Sequence, residues 1–302
     1  MSNLTEADVP APPRAAPGAG GKPDTKRELR VLTGVTQIAL VGWALITAGP
    51  LIFVLLASFK SNTEIFLGAP FALPKSISFQ TYAAAWDKAH IGQYFLNSVL
   101  VVALSTAGTM LFGSMAAYVL ARYTFVGNRL LYYMFVSGLA FPTFLALAPL
   151  FYILRNLGLL DTFTGLVLVY IAYSLPFTVF FLVAFFKTLP REIDEAATVD
   201  GASHTRKFFQ IMVPMARSGL VSITIFNIVG QWNQYLLPVV IMQSESKYVL
   251  TQGIATISVS AGYRAEWGML FAALILSIVP MIIVYALFQR QIQAGLTAGA
   301  IK

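Results

Sequence analysis

The residues best suited to ionic or acid–base chemistry are concentrated in one interior segment of the chain, between Lys187 and Arg217. The charged residues of this segment are Lys187, Arg191, Glu192, Asp194, Glu195, Asp200, Arg206, Lys207 and Arg217. The chain has no cysteine, and neither of its two histidines, His90 and His204, has nearby carboxylates at metal-ligand spacing. Since no nucleophile with a base partner can be assembled either, we predict no catalytic and no metal-binding residues.

This segment, residues 187–217, has the local sequence of two short helices joined at a glycine. Pro190 suits a first helical turn, and the acids that follow it suit the positive end of the helix dipole. Gly201 can adopt the left-handed conformation that ends a helix, Ser203 can cap the next helix, and Pro214 stops it. The second helix carries an apolar flank made of Phe208, Phe209 and Met212. We therefore expect a folded, partly apolar surface that is offered to a partner.

The elements that position this segment are predicted to be membrane helices. Hydrophobic residues make up 57% of the chain and charged residues 11%, against about 25% charged in soluble domains. Six charge-free runs are long enough to cross a bilayer, which needs roughly 20 apolar residues. They predict helices at about residues 36–59, 94–121, 130–154, 162–186, 218–241 and 268–288. The predicted fold is therefore an all-α, polytopic membrane protein whose six transmembrane helices occupy residues 36–290.

The distribution of Lys and Arg predicts the orientation of these helices. Fourteen of the 20 Lys and Arg residues fall on one predicted side and six on the other. By the positive-inside rule, both termini and the 187–217 loop are cytoplasmic. The net charge of +7 thus follows membrane topology and does not indicate nucleic-acid binding. Residues 1–30, rich in Pro, Ala and Gly, are predicted to be a disordered cytoplasmic tail, and residues 291–302 a cytoplasmic C-terminal tail.

The fifth helix is the most polar and is a candidate wall of a substrate pathway. Asn227, Gln231 and Gln234 fall at i, i+4 and i+7 and share a helix face, with Tyr235 beside them. Amides and aromatic rings suit sugar hydroxyls and pyranose faces. The alternative is that these amides bond to a neighbouring helix or a partner subunit.

Other local patterns give more limited expectations. Gly113 and Ala117 form a small-residue face for close helix packing. The tyrosines Tyr118, Tyr123, Tyr132 and Tyr133 are expected to mark the inner membrane interface. The run between Lys247 and Arg264, too short to span and rich in Ser, Thr and Gly, is expected to be a loop. Prolines in the third and fourth helices, including Pro142 and Pro176, are candidates for kinks.

The central segment resembles the loop signature of permease subunits of binding-protein-dependent ABC importers. Glu195-Ala196-Ala197, then three residues, Gly201, nine residues and Ile211-x-x-Pro214 match it, with Val213 where Leu is usual. The resemblance implies a type I ABC importer permease fold. It also implies that Glu195, Ala196, Ala197, Asp200, Gly201, Ile211 and Pro214 couple this chain to a separate ATPase subunit. The alternative is an amphipathic loop on the bilayer surface.

The C-terminal residues 295–302 resemble the end of the smaller, second permease of maltose-type carbohydrate importers. In some of these relatives such a tail reaches between the two ATPase subunits, which implies that Thr297 and Gly299 do so here. The alternative is a frayed chain end.

Together these resemblances imply a prokaryotic plasma (inner) membrane protein that forms half of a translocation pathway for a sugar or oligosaccharide. The implied partners are a second permease, two ATPase subunits, an extracytoplasmic substrate-binding protein and membrane lipid. The chain itself is expected to bind no cofactor, since ATP and magnesium belong to the partner ATPase. The alternatives are a permease for a non-sugar solute and a secondary carrier, although no charged residue within the predicted spans provides a coupling-ion site.

Overall fold

The computed structural model describes residues 25–264 and 266–298, with side chains described for residues 33–259 and 266–291. Every regular element in these ranges is helical. The helices are α1 (Thr25–Ala57), α2 (Asn62–Leu67), α3 (Gln80–Asp87), α4 (Ile91–Arg122), α5 (Asn128–Ala140), α6 (Thr143–Asn156), α7 (Phe163–Thr188), α8 (Arg191–Val199), α9 (His204–Met215), α10 (Arg217–Trp232), α11 (Leu236–Ile241), α12 (Leu250–Arg264) and α13 (Trp267–Ala298), with a 3₁₀ turn at Glu245–Lys247. The described part of the chain divides into two units between Leu51 and Ile52.

Four helices are individually long and apolar enough to cross a membrane. Their qualifying stretches are Thr33–Ala57, Ile91–Arg122, Phe163–Thr188 and Trp267–Gln291. Two bent pairs, α5 with α6 and α9 with α10, pass the same test when each pair is taken together, which gives up to six spans. The predicted all-helical, six-span class is confirmed, with a break inside the third predicted span and a bend where the 187–217 segment meets the fifth. Helix α1 begins at Thr25, within the segment predicted to be disordered, whereas residues 1–24 lie outside the described residues.

The third predicted span is broken at Pro142. Helices α5 and α6 meet there at 106°. Phe141, the residue before the proline, takes an extended conformation (φ −81°, ψ 119°), as the steric bulk of a following proline favours. Pro149 and Pro176 instead lie inside α6 and α7, which continue past them. The sequence thus indicated several candidate kinks, and the main-chain break falls at one of them.

The fifth predicted span is also interrupted. Helix α10 ends at Trp232, and the chain becomes helical again only at Leu236. The prediction that Gln234 continues the face of Asn227 and Gln231 is therefore wrong, because Gln234 lies after the last helical residue of α10.

The expected loop between Lys247 and Arg264 is wrong as well, because residues 250–264 form helix α12. This helix is too short to span a membrane, and it buries one side within the protein instead. Leu250 and Ile257 join a core cluster with Ile91 and Trp232. The backbone N–H of Leu250 donates to the Ser98 hydroxyl (2.7 Å).

Helices α4 and α7 form the principal packed pair of the bundle, and their approach depends on small residues. A Cβ atom added to Gly113 would lie 2.7 Å from Cγ2 of Thr178, closer than van der Waals contact allows. Ala117, one turn further on, is fully buried. The predicted small-residue face is confirmed.

Asp161 fixes the chain between α11 and α12. Its side chain accepts hydrogen bonds from the backbone N–H groups of Gln243 and Ser244 (both 3.0 Å) and from the Ser244 hydroxyl, and it pairs with Lys247 (3.1 Å). Partial burial acts to raise the pKa of this carboxyl, but these hydrogen bonds outweigh it and hold the pKa well below its usual range. The loop is therefore pinned to the turn before α7.

Candidate functional site

The charged segment between α7 and α10 folds as two short helices joined at Gly201, as the sequence predicted. Gly201 has φ +73°, in the left-handed region. Its N–H donates to the Thr198 carbonyl (3.0 Å), and the N–H of Ala202 donates to the Ala197 carbonyl (3.0 Å). This pair of bonds is a Schellman cap, which satisfies carbonyls at the end of α8. The glycine is thus needed for the backbone turn.

The second helix of the segment begins at a capped position and contains a widened turn. The Ser203 hydroxyl accepts from the N–H of Arg206 (3.3 Å), which confirms the predicted cap. Residues Lys207–Met212 adopt π-helical geometry within α9. The helix ends at Met215, one residue after Pro214, and α10 then departs at 81°.

The residues predicted to couple this chain to an ATPase do not all face outward. Glu195, Ala196, Asp200, Gly201 and Pro214 are exposed. By contrast, Ala197 is buried, and Ile211 is half-buried against the core cluster at this end of the bundle. The five exposed residues are therefore accessible to a partner, whereas Ala197 is shielded and Ile211 packs the segment against the core cluster.

The apolar flank of α9 faces mainly inward, contrary to the expectation that it is offered to a partner. Phe208 and Met212 are buried in a cluster with Tyr118 and Phe186, because packing them there removes their apolar area from water. Phe209 alone remains about half exposed. The segment is thus anchored by its aromatic residues.

A buried ion pair that the sequence did not reveal joins the two helices of this segment. Lys207 is 4% exposed. Its Nζ lies 3.4 Å from Oδ1 of Asp194 and donates to the Thr198 hydroxyl (3.0 Å). One signal was available, since Asp194 and Thr198 are four residues apart and share a face of α8.

Two tyrosines predicted for the membrane interface instead connect α4 to this segment. Tyr118 is 3% exposed, and its hydroxyl donates to Oδ1 of Asp194 (3.2 Å). The Tyr123 hydroxyl lies 3.3 Å from that of Tyr118 and 2.8 Å from Nδ1 of His204. The interface assignment of Tyr118 is therefore wrong: its ring is packed between Phe186 and Phe208.

A second polar region lies deep between α5, α7 and α10, around a cavity of about 200 Å³. Asn227 and Gln231 reach it but are largely buried. Nδ2 of Asn227 donates to the Thr178 hydroxyl (2.9 Å), and Nε2 of Gln231 donates to the Ser174 hydroxyl (3.0 Å). The hydroxyls of Ser105 (2.7 Å) and Thr106 (2.9 Å) lie within hydrogen-bond distance of Oε1 of Gln231. These two amides therefore form the interhelical bonds that were the alternative to a pathway role.

Gln234 and Tyr235 differ from those two amides in position and exposure. Gln234 lines the same cavity and is half-buried, and its side-chain oxygen accepts from the backbone N–H of Tyr235 (3.1 Å). Tyr235 is 43% exposed and does not line the cavity. The exposed aromatic rings at the cavity are those of Phe141, Tyr173 and Phe177. Of the four predicted pathway residues, three meet at the cavity, and only Gln234 is partly open there.

The predicted contact of Thr297 and Gly299 with the ATPase lies mostly outside the described residues. The backbone at Thr297 is helical, because α13 runs to Ala298. The side chain of Thr297 and the whole of Gly299 lie outside the described residues.

The fold and this surface together define a polytopic helical membrane protein with one ordered, charge-rich segment between two of its spans. Residues 109–297 match the family model described as binding-protein-dependent transport system inner membrane component. The chain belongs to that family, which confirms the family predicted from the sequence. It is accordingly a multi-pass inner-membrane transport subunit.

Individual relatives agree with this assignment. The chain is 48% identical to the diacetylchitobiose uptake system permease protein of Streptomyces coelicolor over 273 residues, 90% of each chain. It is 32% identical to the trehalose transport system permease protein of Mycobacterium tuberculosis, over 89% of this chain and 96% of the relative. A solved bacterial ABC transporter involved in alginate import contains a chain with the same fold, at a TM-score of 0.78 and 23% identity, over 87% of this chain and 97% of that one.

Proposed function

We propose that this chain is one permease subunit of an ATP-driven importer of an oligosaccharide, with diacetylchitobiose as the first candidate substrate. The observation that carries this proposal is the 48% identity, across 90% of both chains, to the Streptomyces coelicolor diacetylchitobiose permease. The other sugar-transport relatives support the broader class of substrate.

In this proposal the complex contains a second permease, two ATPase subunits that bind ATP and magnesium, and an extracytoplasmic binding protein. A chain of the alginate importer crystallised with its pentasaccharide-bound periplasmic protein has the same fold as this chain, with a TM-score of 0.63, which supports the binding-protein partner. Both termini and the segment 187–217 face the cytoplasm, as the Lys and Arg distribution indicates. The tail around Thr297 and Gly299 contacts the ATPase pair.

The ATPase docks on the exposed surface formed by Glu195, Ala196, Asp200 and Gly201. Two observations support this docking site. The residues are exposed, and the Schellman cap at Gly201 and the Ser203 cap hold both helices in place. Pre-organised surfaces bind with a smaller entropic cost than disordered loops do. Closure of the ATPase dimer on ATP moves this surface, the bundle opens outward, and hydrolysis resets it.

Within the membrane, the substrate passes the cavity between α5, α7 and α10. Gln234 supplies an amide and Tyr173 an exposed ring, the pair of groups that recognises sugar hydroxyls and C–H faces. Asn227 and Gln231 form the wall behind them and keep its shape through interhelical hydrogen bonds. Tyr235 belongs to the pathway only if the bundle rearranges, because it lies off this cavity.

The test is ATP hydrolysis by the reconstituted complex with its binding protein and a panel of sugars that includes diacetylchitobiose, trehalose and maltose. One sugar is expected to stimulate hydrolysis in the wild type. Gly201→Asp, which adds a charge to the docking surface, and Glu195→Ala, which removes one from it, are expected to abolish that stimulation or to release the ATPase. Loop variants that behave as wild type would contradict the coupling role, uptake without any ATPase would favour a secondary carrier, and stimulation by a non-sugar solute alone would reassign the substrate.

A further inference from the structure

The inner end of α4 and the two helices of the 187–217 segment are joined by one group of polar contacts. Lys207, Asp194, Thr198, Tyr118 and Tyr123 form this group, which we call the clamp. Its centre is the Lys207–Asp194 ion pair (3.4 Å), with Lys207 4% exposed and the Asp194 side chain 19% exposed. We propose that the clamp makes the segment and the end of α4 move as one unit, so that displacement of α8 by the ATPase is transmitted to the membrane helix.

The hydrogen bonds of the clamp have one consistent direction. An ionised Asp194 only accepts, so the Tyr118 hydroxyl donates to it (3.2 Å). The Tyr118 oxygen then accepts from the Tyr123 hydroxyl (3.3 Å), and the Tyr123 oxygen accepts from Nδ1–H of His204 (2.8 Å). These donors thus run from His204 on α9 through the end of α4 to Asp194 on α8. Because Lys207 on α9 also pairs with Asp194, the contacts connect all three elements.

Two neighbouring contacts make this connection stiff. Nη2 of Arg122, the last residue of α4, donates to the carbonyl of Leu189 just before α8 (2.9 Å). The ring of Phe208 packs on that of Tyr118, with centroids 5.4 Å apart. Because close-packed interiors transmit displacement rather than absorb it, α8 cannot shift alone without breaking several of these contacts.

A buried ion pair is a costly way to stabilise a fold, since an apolar pair of similar volume often serves as well. Lys207 connects separate elements: its ammonium pairs with Asp194 and donates to Thr198, both on α8, and it lies 5.8 Å from the centre of the Tyr123 ring. The charge is therefore better explained by a link between α8, α9 and α4 than by stability alone. This role rests on the proposed function, because it needs an ATPase that moves α8.

The experiment measures distance inside the assembled complex. Because the chain has no cysteine, spin labels can be placed at Val126→Cys, just beyond α4, and Val199→Cys, at the end of α8. Both positions are highly exposed, 103% and 88%. Distances are recorded by double electron–electron resonance with the ATPase nucleotide-free and then trapped with ADP and vanadate. In the wild type the 126–199 distance is expected to stay the same in both states.

Lys207→Met removes the cation and keeps the side-chain length, and Arg206→Met removes the neighbouring exposed cation as a matched control. In Lys207→Met the 126–199 distance is expected to change on trapping, and sugar transported per ATP is expected to fall about fivefold or more. Arg206→Met is expected to match the wild type. Since Lys207→Met can fail to assemble, Tyr118→Phe, which removes only one hydroxyl, is the second variant and is expected to show the same change in smaller degree.

A clamp variant that binds the ATPase but keeps the wild-type distances and transport per ATP overturns the proposal. A lower melting temperature without either change assigns the clamp a purely structural role and also overturns it. Failure of the wild-type chain to bind an ATPase would instead refute the proposed function, so the two failures are distinguishable.

Discussion

Replacement of Gly201 tests whether the joint of the 187–217 segment depends on backbone conformation or on the absence of a side chain. A Cβ atom added at Gly201 would meet no atom within 4 Å, so a clash contributes nothing. The cost of Gly201→Ala then comes from φ +73° and is about 1–2 kcal/mol for an L-residue in the left-handed region. Gly201→Asn is expected to cost less, because asparagine tolerates this conformation.

The assay is hydrogen exchange of the amides of Gly201 and Ala202, whose hydrogen bonds form the cap of α8. A loss of 1–2 kcal/mol in local stability corresponds to exchange that is faster by a factor of about 5–30 in Gly201→Ala. Gly201→Asn should lie between that variant and the wild type, and binding of the ATPase should follow the same order. Equal exchange in all three proteins, or an asparagine variant as severe as alanine, would refute the backbone argument.

Four other substitutions have defined outcomes. Gly113→Leu should separate α4 from α7 by contact with Thr178 and lower the free energy of unfolding by about 1–3 kcal/mol, and an unchanged melting temperature would contradict this packing. Gln231→Leu should lower the free energy of unfolding by about 1–3 kcal/mol, because it leaves three buried hydroxyls without their amide partner. Gln234→Ala should instead reduce sugar uptake at an unchanged melting temperature. If Gln231→Leu affected only uptake and Gln234→Ala affected only stability, the two assigned roles would be wrong. Because the pKa of Asp161 is lowered in the folded state, this carboxylate stabilises the fold fully above about pH 4, and the stabilisation is lost as the pH falls. The melting temperature of Asp161→Asn should therefore change less than that of the wild type between about pH 6 and about pH 3.

Much of the central segment could be predicted because its conformation depends on neighbouring residues. A positive φ at Gly201 and a capping hydroxyl at Ser203 follow from local chemistry. The positions of the spans likewise follow from the cost of placing charge in a bilayer, which acts on each run separately. The contact at Gly113 could be predicted because close helix packing requires small residues.

The features that were missed depend on contacts between residues far apart in sequence. Helix α12 escapes a search for spans because it packs its apolar side on other helices. Tyr118 is of a residue type that is common at membrane interfaces, and only its contact with Phe208, 90 residues later in the sequence, shows that it is buried. Gln234 continues the spacing of an ideal helix, but the helix ends at Trp232. A periodic pattern of residues does not show where a helix ends.

The measurement that most directly tests the central claim is uptake of labelled diacetylchitobiose into proteoliposomes that contain this chain with its partner permease, ATPase and binding protein. Uptake is expected to require ATP inside the vesicles and the binding protein outside, and to be lost with Gly201→Asp. Uptake that continues without ATP, or that is unaffected by this substitution, would contradict the account of this chain as a coupled subunit of an ATP-driven importer.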